Sequence, residues 1–263
     1  MKMLFWIFAT LATLYAGLLV FALFFSESVI FHKVTPSYGL SEDIVFLELP
    51  DDVKIAARRL TPKGGSKICV IYSHGNGEDL GRIAETIEGY RARGFAVLAY
   101  EYPGYGLSGG KASVAGMEAA AEAAWNFTSK VMGCTPENIA LAGYSLGSYP
   151  ACLTASKHPD ARCIVLIGGL SHGVKSILPW NMVPWKILPN ADLLRNSQVP
   201  LLLLHGTRDM VVPPRNAREN FSAAKAQKKL VWFKGYGHYH LPEDPLYWDE
   251  VAPFINNPKN EKR

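Results

Sequence analysis

One serine in the sequence has the surroundings of a catalytic nucleophile. Ser145 is the central residue of Gly143–Gly147, which reads G-Y-S-L-G and follows the apolar run 139–142. The run after it, Leu146–Lys157, favours a helix. A G-x-S-x-G sequence between a strand and a helix is typical of a sharp turn that presents the serine hydroxyl, with glycines where side chains would clash. The first N–H groups of such a helix point at the reacting centre. The pattern predicts nucleophilic attack by Ser145.

A serine hydroxyl needs a neighbouring base to attack at neutral pH. Two histidines, His238 and His240, lie in a loop after the last strand-like run, Leu230–Phe233. His238 directly follows a glycine and is the candidate base, placed after the serine in chain order. His240 is the alternative, and its other interpretation is a histidine at a pocket rim or on the surface.

A third group, a carboxylate, would fix the tautomer of that histidine and stabilise its protonated form. Asp209 lies five residues after the apolar run Pro200–Leu204, in the sequence H-G-T-R-D. That position is the carboxyl end of a strand, where ligands meet open α/β sheets. We therefore predict Asp209 as the acid, with Asp192 as the fallback. The other interpretation of Asp209 is an aspartate that caps a turn.

Stabilisation of an oxyanion requires backbone donors beside the nucleophile. The segment Ser73–Gly77, S-H-G-N-G, follows a strand-like run, and its two glycines let the backbone approach a substrate closely. The backbone N–H groups of Asn76 and Leu146 are the expected donors. For His74 a structural role in bracing this loop is favoured over a catalytic one.

The composition excludes several other function classes. Most of the net charge of +4 comes from Lys2 and the C-terminal tail, so the body is nearly neutral and shows no basic footprint for nucleic acid. The cysteines form no C-x-x-C pair, which argues against a zinc site, while a disulfide stays open; they are Cys69, Cys134, Cys152 and Cys163. No metal, nucleotide or flavin is indicated, and we predict no cofactor.

The elements that must position these residues alternate along the chain. Short aliphatic or β-branched runs predict strands, most of them buried on both faces: Ile44–Leu49, Val53–Leu60, Ile68–Ser73, Ala96–Tyr100, Ile139–Gly143, Cys163–Ile167, Leu201–Leu204 and Leu230–Phe233. Helical stretches lie between them: Leu80–Arg93, Val114–Met132, Leu146–Lys157, Arg215–Ala226 and Leu246–Phe254. This order predicts an α/β fold with a mostly parallel, eight-stranded sheet flanked by helices.

One connection interrupts the alternation. Residues 171–198 join two predicted strands and contain three prolines, which prevent one long helix. Their apolar and aromatic content argues against disorder, so we interpret them as a short cap over the strand ends. Trp180 and Trp185 are candidate substrate-binding residues within it.

The N-terminus carries an apolar run without charge, Met3–Phe25. As a helix it would be roughly 35 Å long, enough to cross a hydrocarbon core of about 30 Å. A cleaved signal peptide is the main alternative, but the run is longer than the usual apolar region and the following sequence fits a cleavage site poorly. We predict an uncleaved single-pass anchor. Lys2 before the run favours a cytoplasmic N-terminus, with the catalytic body on the non-cytoplasmic side.

Several of these motifs together resemble the α/β-hydrolases, and more narrowly the membrane-anchored α/β-hydrolase-domain proteins and their bacterial relatives. The matching stretches occur in family order and are Tyr72–Gly77, Tyr100–Gly110, Gly143–Gly147, Leu204–Val212 and Gly235–His238. The resemblance implies the α/β-hydrolase fold and a serine esterase or thioesterase acting through an acyl-enzyme. One branch removes palmitoyl groups from proteins; others are carboxylesterases, lipases or serine peptidases. The predicted spanning segment departs from the cysteine-rich N-terminus of the depalmitoylating branch.

These observations predict three parts: an anchor over residues 1–28, a catalytic domain over 29–255 and a polar tail over 256–263. The expected partners are an acyl ester or thioester substrate and a membrane, and the sequence leaves the oligomeric state open. Two other functions are weighed against ester hydrolysis. A catalytically inactive binding scaffold would have lost a triad position, and none is lost here. A serine peptidase would need a charged group to grip a peptide terminus, and the cap contains no acidic cluster.

Overall fold

The computed structural model describes residues 2–32, 34–62, 64, 67–173 and 187–259. Its centre is an eight-stranded sheet with the order β1-β2-β4-β3-β5-β6-β7-β8. The strands are β1 (Ile44–Glu48), β2 (Lys54–Leu60), β3 (Cys69–Ser73), β4 (Ala96–Tyr100), β5 (Ile139–Tyr144), β6 (Cys163–Ile167), β7 (Leu201–Gly206) and β8 (Lys228–Phe233). Strand β2 pairs antiparallel with both β1 and β4, and the other neighbours pair in parallel. The predicted mostly parallel sheet is confirmed.

Helices cover both faces of the sheet, as the alternation of elements predicted. The described helices are α1 (Lys2–Ile30), α2 (Ala84–Ala92), α3 (Val114–Asn126), α4 (Ser148–Lys157), α5 (Asn190–Asn196), α6 (Arg215–Ala223) and α7 (Pro245–Asn256). One apolar cluster packs α3, α4 and α6 against one face, and a second packs α2 and α7 against the other. Adjacent residues of β3 show the division, since Ile71 joins the first cluster and Tyr72 the second.

Several helices are shorter than their sequence patterns predict, at one end or the other. The helix expected from Leu80 begins at Ala84. The helix expected over Val114–Met132 is regular to Asn126 and continues as a π-helical turn over Phe127–Val131. Its start is well defined, since the Ser113 hydroxyl accepts a hydrogen bond from the N–H of Gly116, as an N-cap residue does.

The apolar N-terminal run is helical, as expected, and forms most of α1. Within the part of the chain that the structure describes, however, no helix combines the length and the apolarity that crossing a membrane requires. The prediction of a transmembrane helix is therefore not supported by the structure. Within the run, the side chains of residue 18 and of residues 21–25 lie outside the described ones.

The predicted cap is described only at its two ends. Residues 174–186, which include Trp180 and Trp185, lie outside the described residues. The end of the connection forms the short helix α5, which packs against α4 and α6.

Two of the four cysteines form a disulfide, which the sequence analysis had left open. A disulfide links Cys69, at the start of β3, to Cys134, beyond α3, with their Cα atoms 6.4 Å apart. Cys152 and Cys163 are buried free thiols. Burial raises the pKa of the Cys152 thiol well above its ordinary value, so it remains protonated and behaves as a small core residue.

Candidate active site

The backbone around Ser145 is a tight turn that only particular neighbours allow. Ser145 has φ 51°, a left-handed conformation that a side-chain-bearing residue adopts only when its surroundings enforce it. A Cβ added to Gly143 would lie 2.3 Å from the carbonyl oxygen of Gly147. A Cβ added to Gly147 would lie 2.0 Å from the carbonyl oxygen of Ser73. Strand β5 thus turns into α4 through backbone contacts that no larger residue fits, and the turn presents the serine at the carboxyl edge of the sheet.

The structure brings Ser145, His238 and Asp209 together in one line. The His238 Nε2 atom lies 2.9 Å from the Ser145 Oγ atom, and His238 Nδ1 lies 2.6 Å from Asp209 Oδ2. Both His238 and Asp209 are buried. A neutral imidazole that donates its Nδ1–H to the carboxylate has its Nε2 lone pair free to accept the serine proton. The arrangement can therefore generate a nucleophilic alkoxide-like oxygen at Ser145.

The other oxygen of Asp209 is held by the loop after β7. Asp209 Oδ1 accepts hydrogen bonds from the backbone N–H groups of Val211, at 2.9 Å, and Val212, at 2.7 Å. These bonds fix the carboxylate plane, so that Oδ2 points at His238. Asp209 thus combines the turn-capping role that sequence reasoning gave as its alternative with contact to the histidine.

A second histidine contacts the same carboxylate, and the sequence analysis assigned it no role. His205 Nε2 lies 3.3 Å from Asp209 Oδ2 and 2.8 Å from the carbonyl oxygen of Val212. Burial lowers the pKa of His205, so the ring is neutral and its Nε2–H can donate to that carbonyl. Because the His205 ring carries no positive charge, it does not compete with His238 for the negative charge of Asp209. The available signal was its position, four residues before Asp209 at the end of β7.

The two fallback residues do not reach the serine. His240 is exposed, has φ 69° and bonds Glu243 through its Nδ1 atom. Asp192 lies on α5, where its carboxylate pairs with Arg195 at 2.6 Å. Between the alternatives left open by the sequence, the geometry favours His238 and Asp209.

Tyr144 and Gly168 fix the loop that carries His238. The Tyr144 hydroxyl donates to the backbone carbonyl of His238 at 3.2 Å. Gly168, after β6, has φ 56°, and a Cβ there would lie 3.1 Å from His238 Cε1. The imidazole therefore lies between the ring of Tyr144, whose centroid is 5.2 Å away, and a bare backbone.

The two expected oxyanion donors are at the same edge of the sheet as Ser145. Leu146 lies in the turn Ser145–Gly147, and Asn76 lies in the loop after β3. No hydrogen bond of the Asn76 backbone N–H occurs within the described part of the chain, so the donor is free to bind a ligand. The loop is tight at Gly75, whose N–H donates to Glu78 Oε2 at 2.6 Å and whose Cβ position is closed by the Tyr144 ring at 2.7 Å.

A buried ion pair lies under this loop. His74 Nε2 is 3.1 Å from Glu101 Oε2, and neither side chain is exposed to solvent. His74 Nδ1 lies 2.8 Å from the carbonyl oxygen of Gly75. Burial lowers the pKa of His74, but the Glu101 carboxylate and that carbonyl outweigh it, so the pKa is raised overall. Through these contacts His74 links the loop at Gly75 to Glu101, and no hydrogen bond or ion pair joins it to Ser145 among the described residues.

The mouth of the site carries exposed apolar side chains. They are Met210 and Val211, next to the acid, and Tyr239, next to the base. Exposed apolar side chains that lie close together are typical of a surface that contacts a ligand or a partner.

Comparison with known proteins identifies relatives that share this architecture. The family model Hydrolase_4, described as serine aminopeptidase, S33, matches residues 64–194 and 186–245. The chain is 30% identical over 196 residues to alpha/beta hydrolase domain-containing protein 17C of Xenopus tropicalis, an alignment that covers 73% of this chain and 63% of that protein. It is 26% identical over 218 residues to the human 17C protein, covering 82% of this chain and 66% of the relative. The chain thus spans less than two thirds of the length of the frog relative.

Solved structures share the fold at low identity. The esterase domain of a Rhodothermus marinus protein matches with a TM-score of 0.64 and 21% identity, covering 81% of this chain and 97% of that one. An esterase of Pyrococcus furiosus matches with a TM-score of 0.69 and 19% identity, covering 84% and 98% of the two chains. The family model covers more than half of the chain, and the fold agrees with it. The protein belongs to the family described as serine aminopeptidase, S33, within the α/β-hydrolase superfamily.

Proposed function

We propose that the protein is a serine hydrolase that cleaves carboxylic ester or thioester bonds through an acyl-enzyme. The observation that carries this proposal is His238 lying within hydrogen-bond distance of both Ser145 Oγ and Asp209 Oδ2. The esterases among the solved structures of this fold support the class of reaction. The exposed apolar rim and the apolar composition of residues 174–186 support an acyl or lipid-like substrate.

Each step of the reaction has a group to perform it. His238 Nε2 takes the proton of Ser145 as Oγ bonds to the acyl carbon, and the carbonyl electrons move to its oxygen. The N–H groups of Asn76 and Leu146 stabilise that oxyanion. As the carbonyl re-forms, the bond to the alcohol or thiol breaks and His238 protonates the leaving group. A water molecule, deprotonated by His238, then attacks the acyl-enzyme by the same path and releases the acid and Ser145.

Acyl-chain length is the specificity we expect the cap to set. Burying a methylene of the chain against apolar groups is worth about 0.8 kcal/mol. Four extra methylenes would give roughly 3 kcal/mol, near a hundredfold in kcat/KM, before losses to chain ordering. We expect a preference for medium or long acyl chains over acetyl, and loss of that preference when Trp180 and Trp185 are both changed to alanine. A flat or falling profile from C2 to C8 esters would indicate a shallow pocket for small esters.

The first test is covalent labelling and turnover. A fluorophosphonate probe should label the wild type and not Ser145→Ala, and only the wild type should hydrolyse p-nitrophenyl esters and acyl thioesters. Ser156→Ala is the matched control, because Ser156 is an exposed helical serine whose hydroxyl, among the described residues, bonds the carbonyl of Leu153 in its own helix. Labelling that survives in Ser145→Ala would contradict the assignment of the nucleophile.

The family description as serine aminopeptidase makes peptide hydrolysis the second candidate. The wild type, Ser145→Ala and the control Ser156→Ala should therefore each be assayed with aminoacyl p-nitroanilides as well. Ser145-dependent release from these amides without release from esters would replace the esterase by a peptidase. Binding of acyl compounds without turnover would instead favour an inactive scaffold.

We further propose that α1 holds the enzyme at a membrane, with the catalytic domain on the non-cytoplasmic side. The charge-free run Met3–Phe25 and the exposed apolar side chains of Met3, Leu4 and Phe5 support the first part. The Cys69–Cys134 disulfide supports the second, since disulfides persist mainly in oxidising compartments.

Fractionation and thiol counting test this placement. The full chain should stay with membranes after high-salt and carbonate washing, and its N-terminus should be uncleaved. Two of its four cysteines should react with a thiol reagent after denaturation without reductant. Release by carbonate would indicate peripheral binding only. A soluble protein beginning near residue 27 would identify a signal peptide, and four reactive thiols would contradict the oxidising compartment.

A further inference from the structure

The segment that follows α1 lies along the loop after β3 that carries Asn76, residues 74–79, which we call the oxyanion loop. Its contacts with that loop are specific. The Asn76 Nδ2 group lies 2.6 Å from the carbonyl oxygen of Ile30, to which it donates, and 2.7 Å from His32 Nδ1. The backbone N–H of His32 donates to Asn76 Oδ1 at 3.2 Å. Three of the contacts of one carboxamide thus come from two residues: Ile30, the last residue of α1, and His32, just after it. We call the described residues 30–32 and 34–38 the strap.

Further along, the strap is fixed to the residues that end the oxyanion loop. The Ser37 N–H and hydroxyl both donate to the carboxylate of Asp79, each at 2.6 Å. Burial raises the pKa of Asp79, but these hydrogen bonds, together with the backbone N–H and the charge of Arg82, outweigh burial and lower the pKa, so Asp79 accepts as a carboxylate. A Cβ at Gly81 would lie 2.3 Å from the Ser37 hydroxyl, so the two segments are in direct contact. Phe31, within the first set of bonds, and Val34, between the two sets, are buried in the core.

The strap is therefore packed against the catalytic domain along its described length. Its apolar residues occupy the core, and its polar contacts are made to the loop that supplies an oxyanion donor. Asn76 receives one more bond from the body of the protein, since the buried Tyr105 hydroxyl donates to Asn76 Oδ1 at 2.7 Å. With both Asn76 Nδ2 contacts and both Oδ1 bonds in place, the carboxamide has a single orientation.

We propose that the strap is a positioning element of the oxyanion hole, and that His32 acts through the side chain of Asn76 to aim the Asn76 backbone N–H at the reacting oxygen. The inference rests on the proposed function, because it assigns that N–H a role in the transition state. The carboxamide and the backbone N–H belong to one residue, so fixing the former restricts rotation of the latter. The Glu78 carboxylate holds the preceding N–H, that of Gly75, so the side chain of Asn76 is held by the strap and by Tyr105.

The geometry also defines what His32 must offer. An amide N–H₂ group can only donate, so His32 Nδ1 must be an acceptor in this contact. Asparagine at position 32 would place an oxygen acceptor near the position of Nδ1, whereas alanine would offer none. His32→Asn is therefore the conservative variant and His32→Ala the disruptive one.

The test compares these variants in the full chain, purified in detergent, with a soluble p-nitrophenyl ester and a trifluoromethyl ketone inhibitor. The inhibitor forms a hemiketal with Ser145 and places an oxyanion in the hole. His32→Ala should lower kcat by about tenfold, less than the roughly 10²–10³ expected for a donor lost outright. KM should change less than twofold, and the inhibition constant should rise by the factor by which kcat/KM falls. His32→Asn should recover most of both effects.

His158→Ala is the matched control, because His158 stacks on Trp125 at the far end of α4, with ring centroids 4.0 Å apart, and should leave both constants unchanged. If His32→Ala does not fold, Tyr105→Phe removes a bond to the same carboxamide and should give the same pattern. An unchanged kcat in a folded variant, or a rise in KM alone, would overturn the proposal. If turnover depends on Ser145 while His32→Ala and Tyr105→Phe match the wild type, only this inference fails. Without Ser145-dependent turnover, the proposed function fails with it.

Discussion

Replacing His238 by alanine should lower kcat by about a thousandfold or more, the loss typical of a triad base. The reason is that no other described group lies where it could take the Ser145 proton. His238 Nε2 is 2.9 Å from the hydroxyl, and the neighbouring His240 is turned toward Glu243. The measurement is kcat with a p-nitrophenyl ester over a range of pH, with folding checked by thermal unfolding.

His240→Ala is the matched control, because it removes an exposed imidazole two residues away and should leave kcat within a few fold. Asp209→Asn should also lower kcat by about a thousandfold or more, because an amide in place of the carboxylate would favour the wrong tautomer of His238. The double variant of His238 and Asp209 should be little worse than the poorer single variant, because the residues act as a unit. If His240→Ala lowered kcat severely and His238→Ala lowered it only mildly, the assignment of the base would be reversed.

The prediction of these three positions from sequence depended on local chemistry that leaves a clear pattern. Glycine is required at positions 143 and 147 because backbone oxygens would lie 2.3 and 2.0 Å from a Cβ atom there. The turn at Ser145 can therefore be recognised in the sequence by its two glycines. The predicted strands β4 and β6 have the observed bounds, because an uninterrupted apolar run is what a strand buried on both faces needs.

Other features depend on contacts between distant parts of the chain, and no local pattern reports them. The side chain of Asn76 meets His32 across 44 positions, and Cys69 meets Cys134 across 65. His205 acquires its neutral state from burial beside Asp209, which only the folded chain defines. For the N-terminal run, in contrast, the sequence predicted more than the structure supports. Its apolarity predicted a helix, which α1 confirms, and a transmembrane span, which the described residues do not support.

Changing Glu101 to alanine should have the largest effect on stability of any substitution near the site. The change would leave His74 buried without its counter-charge, and breaking a buried pair in this way costs about 3–5 kcal/mol. It would also remove the acceptor of the Leu80 N–H, which lies 2.9 Å from Glu101 Oε1. We expect the free energy of unfolding, measured in urea, to fall by an amount in this range, and kcat to fall with it because the oxyanion loop rests on His74.

Glu101→Gln separates the charge from the packing. Glutamine keeps the volume and an acceptor for the Leu80 N–H, so it should destabilise the protein much less than alanine. It removes the negative charge that raises the pKa of His74 in the folded protein. A raised folded pKa means that protonation of His74 contributes stability below its unfolded value of about 6.5, and that this contribution is lost as pH rises through the folded pKa. The stability difference between wild type and Glu101→Gln should therefore be larger near pH 6 than near pH 9. A difference that stays the same between pH 6 and pH 9 would show that His74 is neutral in the folded protein and that Glu101 acts through packing alone.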